Sequence, residues 1–148
     1  MNLSPLGIAL IKHFERYADK AYRRFPKEPW TCGWGHTKGV TETTTCTPET
    51  AEQWILEDVA IASSVANFTL AGLGATQHQF DALVILVYNI GVGNFSRADE
   101  LHAAIATKQW STVAAHFLSF DHIDGVENEG LKQRRELEKA LFLDGVTT

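Results

Sequence analysis

No stretch of the chain is apolar for the roughly 20 residues that a membrane-crossing helix needs. The start, MNLSPLGIALIKHFERY, is broken by Lys12, His13 and Glu15 and has no basic residue ahead of its apolar part. It reads as a fragment without signal peptide or membrane anchor, cytoplasmic at synthesis. Positive charge is scarce as well: 13 Lys and Arg stand against 18 Asp and Glu, a formal net charge of −5. Nucleic-acid binders display a basic face, so that partner is set aside. Cysteine is limited to Cys32 and Cys46. The pair could close a short loop by a disulfide, whereas a reducing compartment would keep two small buried thiols, and the start of the chain favours the thiols. Two Cys among scattered His give no zinc-ligand spacing, and no metal or cofactor is expected. Low-complexity runs, internal repeats and Gly/Ser linkers are all missing, so 148 residues with 45% hydrophobic and 21% charged content are read as one domain, residues 1–148.

The residues that remain are arranged mainly for helices. Leu3, Leu6, Ile8, Leu10, Ile11 and Phe14 recur near helical spacing behind Ser4-Pro5, a cap and first-turn signal. From Ala21 to about Val40 the composition changes to Pro26, Pro29, Gly33, Gly35 and Gly39 among aromatics and Thr, which predicts short strands and tight turns, the only β-like region. Thr47-Pro48-Glu49 opens a long amphipathic helix that ends at the glycines of Leu70-Ala71-Gly72-Leu73-Gly74. Thr76 caps a segment, residues 79–91, that is apolar nearly all round, the mark of a buried central helix. Ser96, Ser111 and Gly130 open three further amphipathic segments, so the second half is predicted to be all helix. The fold class is α+β, mostly α.

Chemistry concentrates where the first helix meets the hairpin. A Glu that ends an amphipathic helix is ordinarily a solvated charge. Glu15, however, follows Phe14 on the apolar face and precedes a Gly-rich hairpin, so it can point into a cleft, where a carboxyl with a raised pKa could protonate a leaving oxygen. The hairpin carries WTCGWGHT, residues 30–37. Gly33 and Gly35 leave backbone close to whatever lies in the cleft, and Trp30 and Trp34 offer flat faces to a sugar. The plainer alternative is that the glycines only make a bend and the Trp residues fill a small lobe.

Four segments in order, LIKHFERYADKAY, WTCGWGHT, QFDALVILVYNIGVGNF and GLKQRRELEKALF, resemble the signature segments of phage lysozymes, glycoside hydrolase family 24, from about Ser4 to Leu143. The resemblance implies a lysozyme-like fold: a small β-hairpin lobe, about residues 15–60, and a larger helical lobe, about 1–14 and 61–148, joined by a long helix at 48–67. It implies muramidase activity, cleavage of the β-1,4 bond between N-acetylmuramic acid and N-acetylglucosamine in peptidoglycan, without cofactor. By the family pattern Glu15 is the general acid and Thr31 helps hold the attacking water. His36 matches a mainly structural histidine. Arg134 or Arg135 matches the arginine that pairs with the catalytic Glu, and the one not used reads as a solvated helix face. Asn89 and Gly91 match positions where the central helix ends at the cleft floor, with a simple helix terminator as the alternative.

One family feature is missing. A second carboxylate, Asp or in some branches Cys, stands nine places after the Glu and six before the Thr; here those positions are Arg24 and Phe25, so the loop RRFPKEPW is one residue longer. Neither residue can act as a base, and an arginine near developing positive charge raises the barrier. Asp19 and Glu28 are the nearest acids, and Glu28 could substitute if the loop folds back. Attenuated hydrolysis is the expectation, since a positioned base contributes about 10²–10⁴-fold. An acidic enzyme also gains little from long-range attraction to a polyanionic wall and would associate with it more slowly than a basic one. Delivery to that wall would need a pore-forming partner or another part of a longer protein. The resemblance extends to degenerate muramidase domains of polar developmental regulators in stalked bacteria, which implies the alternative: a weakly or non-catalytic module for peptidoglycan binding, localisation or self-association.

Overall fold

The computed structural model describes residues 1–144. Helix α1 spans Pro5–Glu15; Ser4 caps it by accepting from the Gly7 N–H at 3.1 Å. Strands β1 (Ala18–Tyr22) and β2 (Thr31–Gly33) form an antiparallel pair with Ala18 opposite Gly33 and Tyr22 opposite Thr31. The β region therefore starts at Ala18, ahead of the predicted Ala21. The segment before the next helix lies along the other side of β1, with Lys20 bridged to Thr45 and the Cys46 N–H donating to the Asp19 carbonyl at 2.9 Å.

Helix α2 spans Pro48–Leu70, about 35 Å at 1.5 Å per residue, three residues longer than the 48–67 implied by resemblance. Its buried stripe, Ala51, Ile55, Val59, Ala62, Ala66 and Leu70, keeps a spacing of three or four throughout. Helix α3 spans Gln77–Ile90 behind a capping box in which Thr76 and Gln79 satisfy each other's backbone N–H groups. Every residue from Gln79 to Val87 is buried, because α3 lies between α1, α2 and the last helix. Its Asp81 is fully buried but receives the Ser4 backbone N–H at 3.1 Å and Gln77 Nε2 at 2.7 Å, so the polar group is paired.

Short helices α4 (Val92–Ser96), α5 (Asp99–Ala106) and α6 (Trp110–Phe117) follow, then a 3₁₀ turn at Leu118–Phe120 and α7 at Glu129–Asp144. Two expectations are corrected here. Ser96 closes α4 by donating to the Gly93 carbonyl at 2.9 Å, and α5 opens only at Asp99. The second half is also not all helix: β3 (His122–Ile123) and β4 (Val126–Glu127) form a hairpin around Asp124-Gly125, both at positive φ. Asp-Gly is the favoured pair for such a two-residue turn, and the signal stands in the sequence. The core unites all seven helices around Ile11, Phe80, Leu83, Leu86, Phe95, Phe117 and Phe142.

Candidate functional site

Glu15 is the last residue of α1, and Arg16 follows at φ 53°, which turns the chain sharply toward β1. Its side chain is 20% exposed, held between the hairpin and α7. One carboxylate oxygen accepts from Arg134 Nη1 at 2.7 Å. The other lies over Gly35, where a Cβ would come within 2.9 Å of it. Gly35 sits at φ +82°, a conformation that side-chain-bearing residues rarely adopt, so glycine is required twice over.

Arg134 is shared. Its guanidinium stacks over the Phe14 ring at 4.7 Å and its Nε donates to Glu138 Oε1 at 3.0 Å. Glu138, 1% exposed, also accepts from Arg135 Nη1 at 2.7 Å, and Arg135 Nη2 reaches Asn89 Oδ1 at the end of α3. The chain Glu15, Arg134, Glu138, Arg135, Asn89 thus alternates donors and acceptors across three helices. Burial pushes the Glu138 carboxyl above its ordinary value while both guanidiniums pull it back, and burial pushes Arg135 down. Solvation of Arg135 as a free helix face is corrected: the residue is completely buried. Glu138 went unnoticed in the sequence, although it stands four places after Arg134 and three after Arg135, the spacing at which helical side chains meet.

On the hairpin side the predicted residues divide. His36 is buried, its Nδ1 2.7 Å from Asp58 Oδ2 and its ring stacked on Trp54 at 4.5 Å, so it joins the hairpin to α2. Gly33 is buried, and a Cβ there would meet Ala51 and Trp54 of α2. Trp34 is half-buried, with Tyr17 at 5.1 Å, Lys12 Nζ 4.6 Å from its ring and its carbonyl accepting from Tyr88 at 2.9 Å. Burial pushes the Tyr88 phenol far above its ordinary value, so it stays a donor. Trp30 instead carries Arg23 over its ring at 4.5 Å.

Thr31 sits opposite Tyr22, its hydroxyl donating to the Pro29 carbonyl at 3.4 Å. Arg24 and Phe25 are exposed in the loop, and Glu28 turns its carboxylate back onto the Arg24 N–H at 3.1 Å. Asp19 is exposed on β1. A concavity of about 780 Å³ begins at Asn89 and runs along Asn94, Arg97, His116 and His122. A smaller one, about 200 Å³, touches Gly35, Asp58, Tyr88 and Gly91. Among the described residues, no helix is long and apolar enough to cross a membrane.

The sequence and the fold have known counterparts. An endolysin of Bacillus phage PZA is 37% identical over 98% of this chain, which spans only 56% of that endolysin. An endolysin of Acyrthosiphon pisum secondary endosymbiont phage 1 is 34% identical over 96% of this chain and 98% of its own length. Among solved structures, the muramidase domain of SpmX from Asticaccaulis excentricus superposes with a TM-score of 0.86 at 29% identity, covering 96% of this chain and 97% of that one. The profile of the phage lysozyme family matches residues 12–138, a span that takes in Glu15, the hairpin, α3 and both arginines. By its lysozyme-like α+β architecture and that match across most of its length, the chain belongs to the phage lysozyme family.

Proposed function

We propose that the chain hydrolyses peptidoglycan as a muramidase, with Glu15 as general acid toward the β-1,4 bond between N-acetylmuramic acid and N-acetylglucosamine. The observation that carries this reading is the placement of Glu15: a mostly shielded carboxyl between hairpin and α7, one oxygen anchored by Arg134 and the other turned to the open backbone at Gly35. The anchored oxygen orients the group, and the oxygen over Gly35 is the one available to hand a proton to a glycosidic oxygen. The smaller concavity, which touches Gly35 beside Glu15 as well as Tyr88 and Gly91, supports a glycan strand lying across this end of α3. Thr31 would orient water from the hairpin side.

Turnover is attenuated on this reading. Arg24 and Phe25 occupy the positions of the second carboxylate, and the Glu28 carboxylate is spent on its own loop. Loss of a positioned base costs about 10²–10⁴-fold. The same observation supports the second reading, a module that binds peptidoglycan or localises a longer protein without appreciable catalysis. Release of reducing ends from purified cell walls separates them: slow hydrolysis by the parent that Glu15→Ala abolishes supports the enzyme. Equal release by parent and variant removes the role given to Glu15. Delivery by a pore-forming partner belongs to the enzymatic reading.

A further inference from the structure

The small lobe holds a feature that hydrolysis does not use. Cys32, on β2, and Cys46, in the segment entering α2, are fourteen positions apart in sequence, yet their sulfurs lie 3.3 Å from each other. They approach from opposite sides of β1, each 3.5 Å from the Ala18 carbonyl. Both backbones are held in place: Cys32 exchanges hydrogen bonds with His36, and the Cys46 N–H donates to Asp19. Two thiols kept only as small apolar fillers have no reason to face one another, and Cys46 is partly exposed besides.

We propose that Cys32 and Cys46 are a disulfide-forming pair that locks the hairpin to the segment entering α2 when the chain meets an oxidising thiol–disulfide couple. A small-molecule disulfide, RS–SR, serves as the oxidant. The accessible Cys46 sulfur attacks it first, forming a mixed disulfide and releasing one RSH with a proton from Cys46. The Cys32 sulfur then attacks the Cys46 sulfur, the S–SR bond breaks, and a second RSH leaves with the proton of Cys32. The two protein thiols are oxidised and one external disulfide is reduced. Burial and the hydrogen bond to Cys46 push the Cys32 thiol up to about 11, which makes it the resolving partner and not the first attacker. Closure requires the sulfurs to move from contact to a bond of about 2.05 Å, a shift made by side-chain rotation at the two cysteines. The loop so closed contains Gly35 and His36, hence the hairpin wall beside Glu15.

The test uses the whole chain incubated with oxidised glutathione, followed by thiol titration in denaturant, intact mass and peptide mapping. The expected result is loss of both free thiols, a mass lower by two hydrogen atoms, one cross-linked peptide joining positions 32 and 46, and a Tm raised by roughly 6–12 °C. Cys46→Ser and, separately, Cys32→Ala should show none of these changes. Two thiols left free, a glutathione adduct that persists on Cys46, or a disulfide between two molecules would each overturn the proposal. None of these readouts depends on hydrolysis.

Discussion

A methyl group at position 35 would meet a carboxyl oxygen of Glu15 at 2.9 Å, on a backbone with φ of +82°. Gly35→Ala should therefore cost about 1–2 kcal/mol in stability from backbone strain. It should also lower hydrolysis by about 10²-fold through displacement of Glu15. Thermal unfolding and reducing-end release measure the two effects, and unchanged turnover would detach Glu15 from the hairpin. The thiol of Cys32 sets a second residue-scale expectation. Its value is raised from 9.0 to about 11, so the folded form holds a proton that the unfolded chain gives up. Stability is fully present below pH 9 and is lost as pH climbs toward 11. Urea midpoints at about pH 8 and about pH 10.5 should fall further apart for the reduced parent than for Cys32→Ala. The placement of Glu15 beside the hairpin was legible at this scale because the residue ends a helix and precedes glycines. Glu138 was not, because its spacing from Arg134 and Arg135 is shared by its solvated neighbour Glu136, which stands four places after Lys132 and three before Lys139.

Helix α7 illustrates how an element assembles a site. Its Arg134, Arg135 and Glu138 are all buried and link the end of α1 to the end of α3. Removing Glu138 leaves two guanidiniums in a dry interface, so Glu138→Leu should destabilise by about 3–5 kcal/mol. That corresponds to a fall in Tm of roughly 10 °C. Adding Arg135→Met to the same variant should recover much of the loss, since apolar side chains of similar size replace buried pairs well. No recovery in calorimetry would mean that Arg135 acts chiefly through Asn89. The long helices were readable in advance because a stripe at three-to-four spacing, as in α2, is a local pattern that burial simply uses. Boundaries among the short helices were not. Ser96 has a capping side chain, but it bonds backward to Gly93, at the end of a helix whose Phe95 is buried, and sequence alone does not rank that bond against a forward cap.

For the molecule as a whole, a net charge of −5 would oppose approach to the polyanionic wall proposed as its substrate. Raising ionic strength from about 10 mM to about 150 mM should increase the rate on cell walls, because screening reduces repulsion. Turbidity clearing measures it, and a steady fall with salt would show that a local basic face governs the encounter. Periodicity, caps and turn residues were enough to establish a helical protein with a hairpin near its start and an acid between them, because those properties depend on neighbours within one or two turns. Which arginine meets Glu15 could not be read that way. Arg134 and Arg135 are adjacent in the chain but about 100° apart around a helix, so the choice rests on how α7 rolls against α1 and α3. The contact between Cys32 and Cys46 has the same origin: β1 runs between their two segments, and only its position brings sulfurs fourteen residues apart into touch.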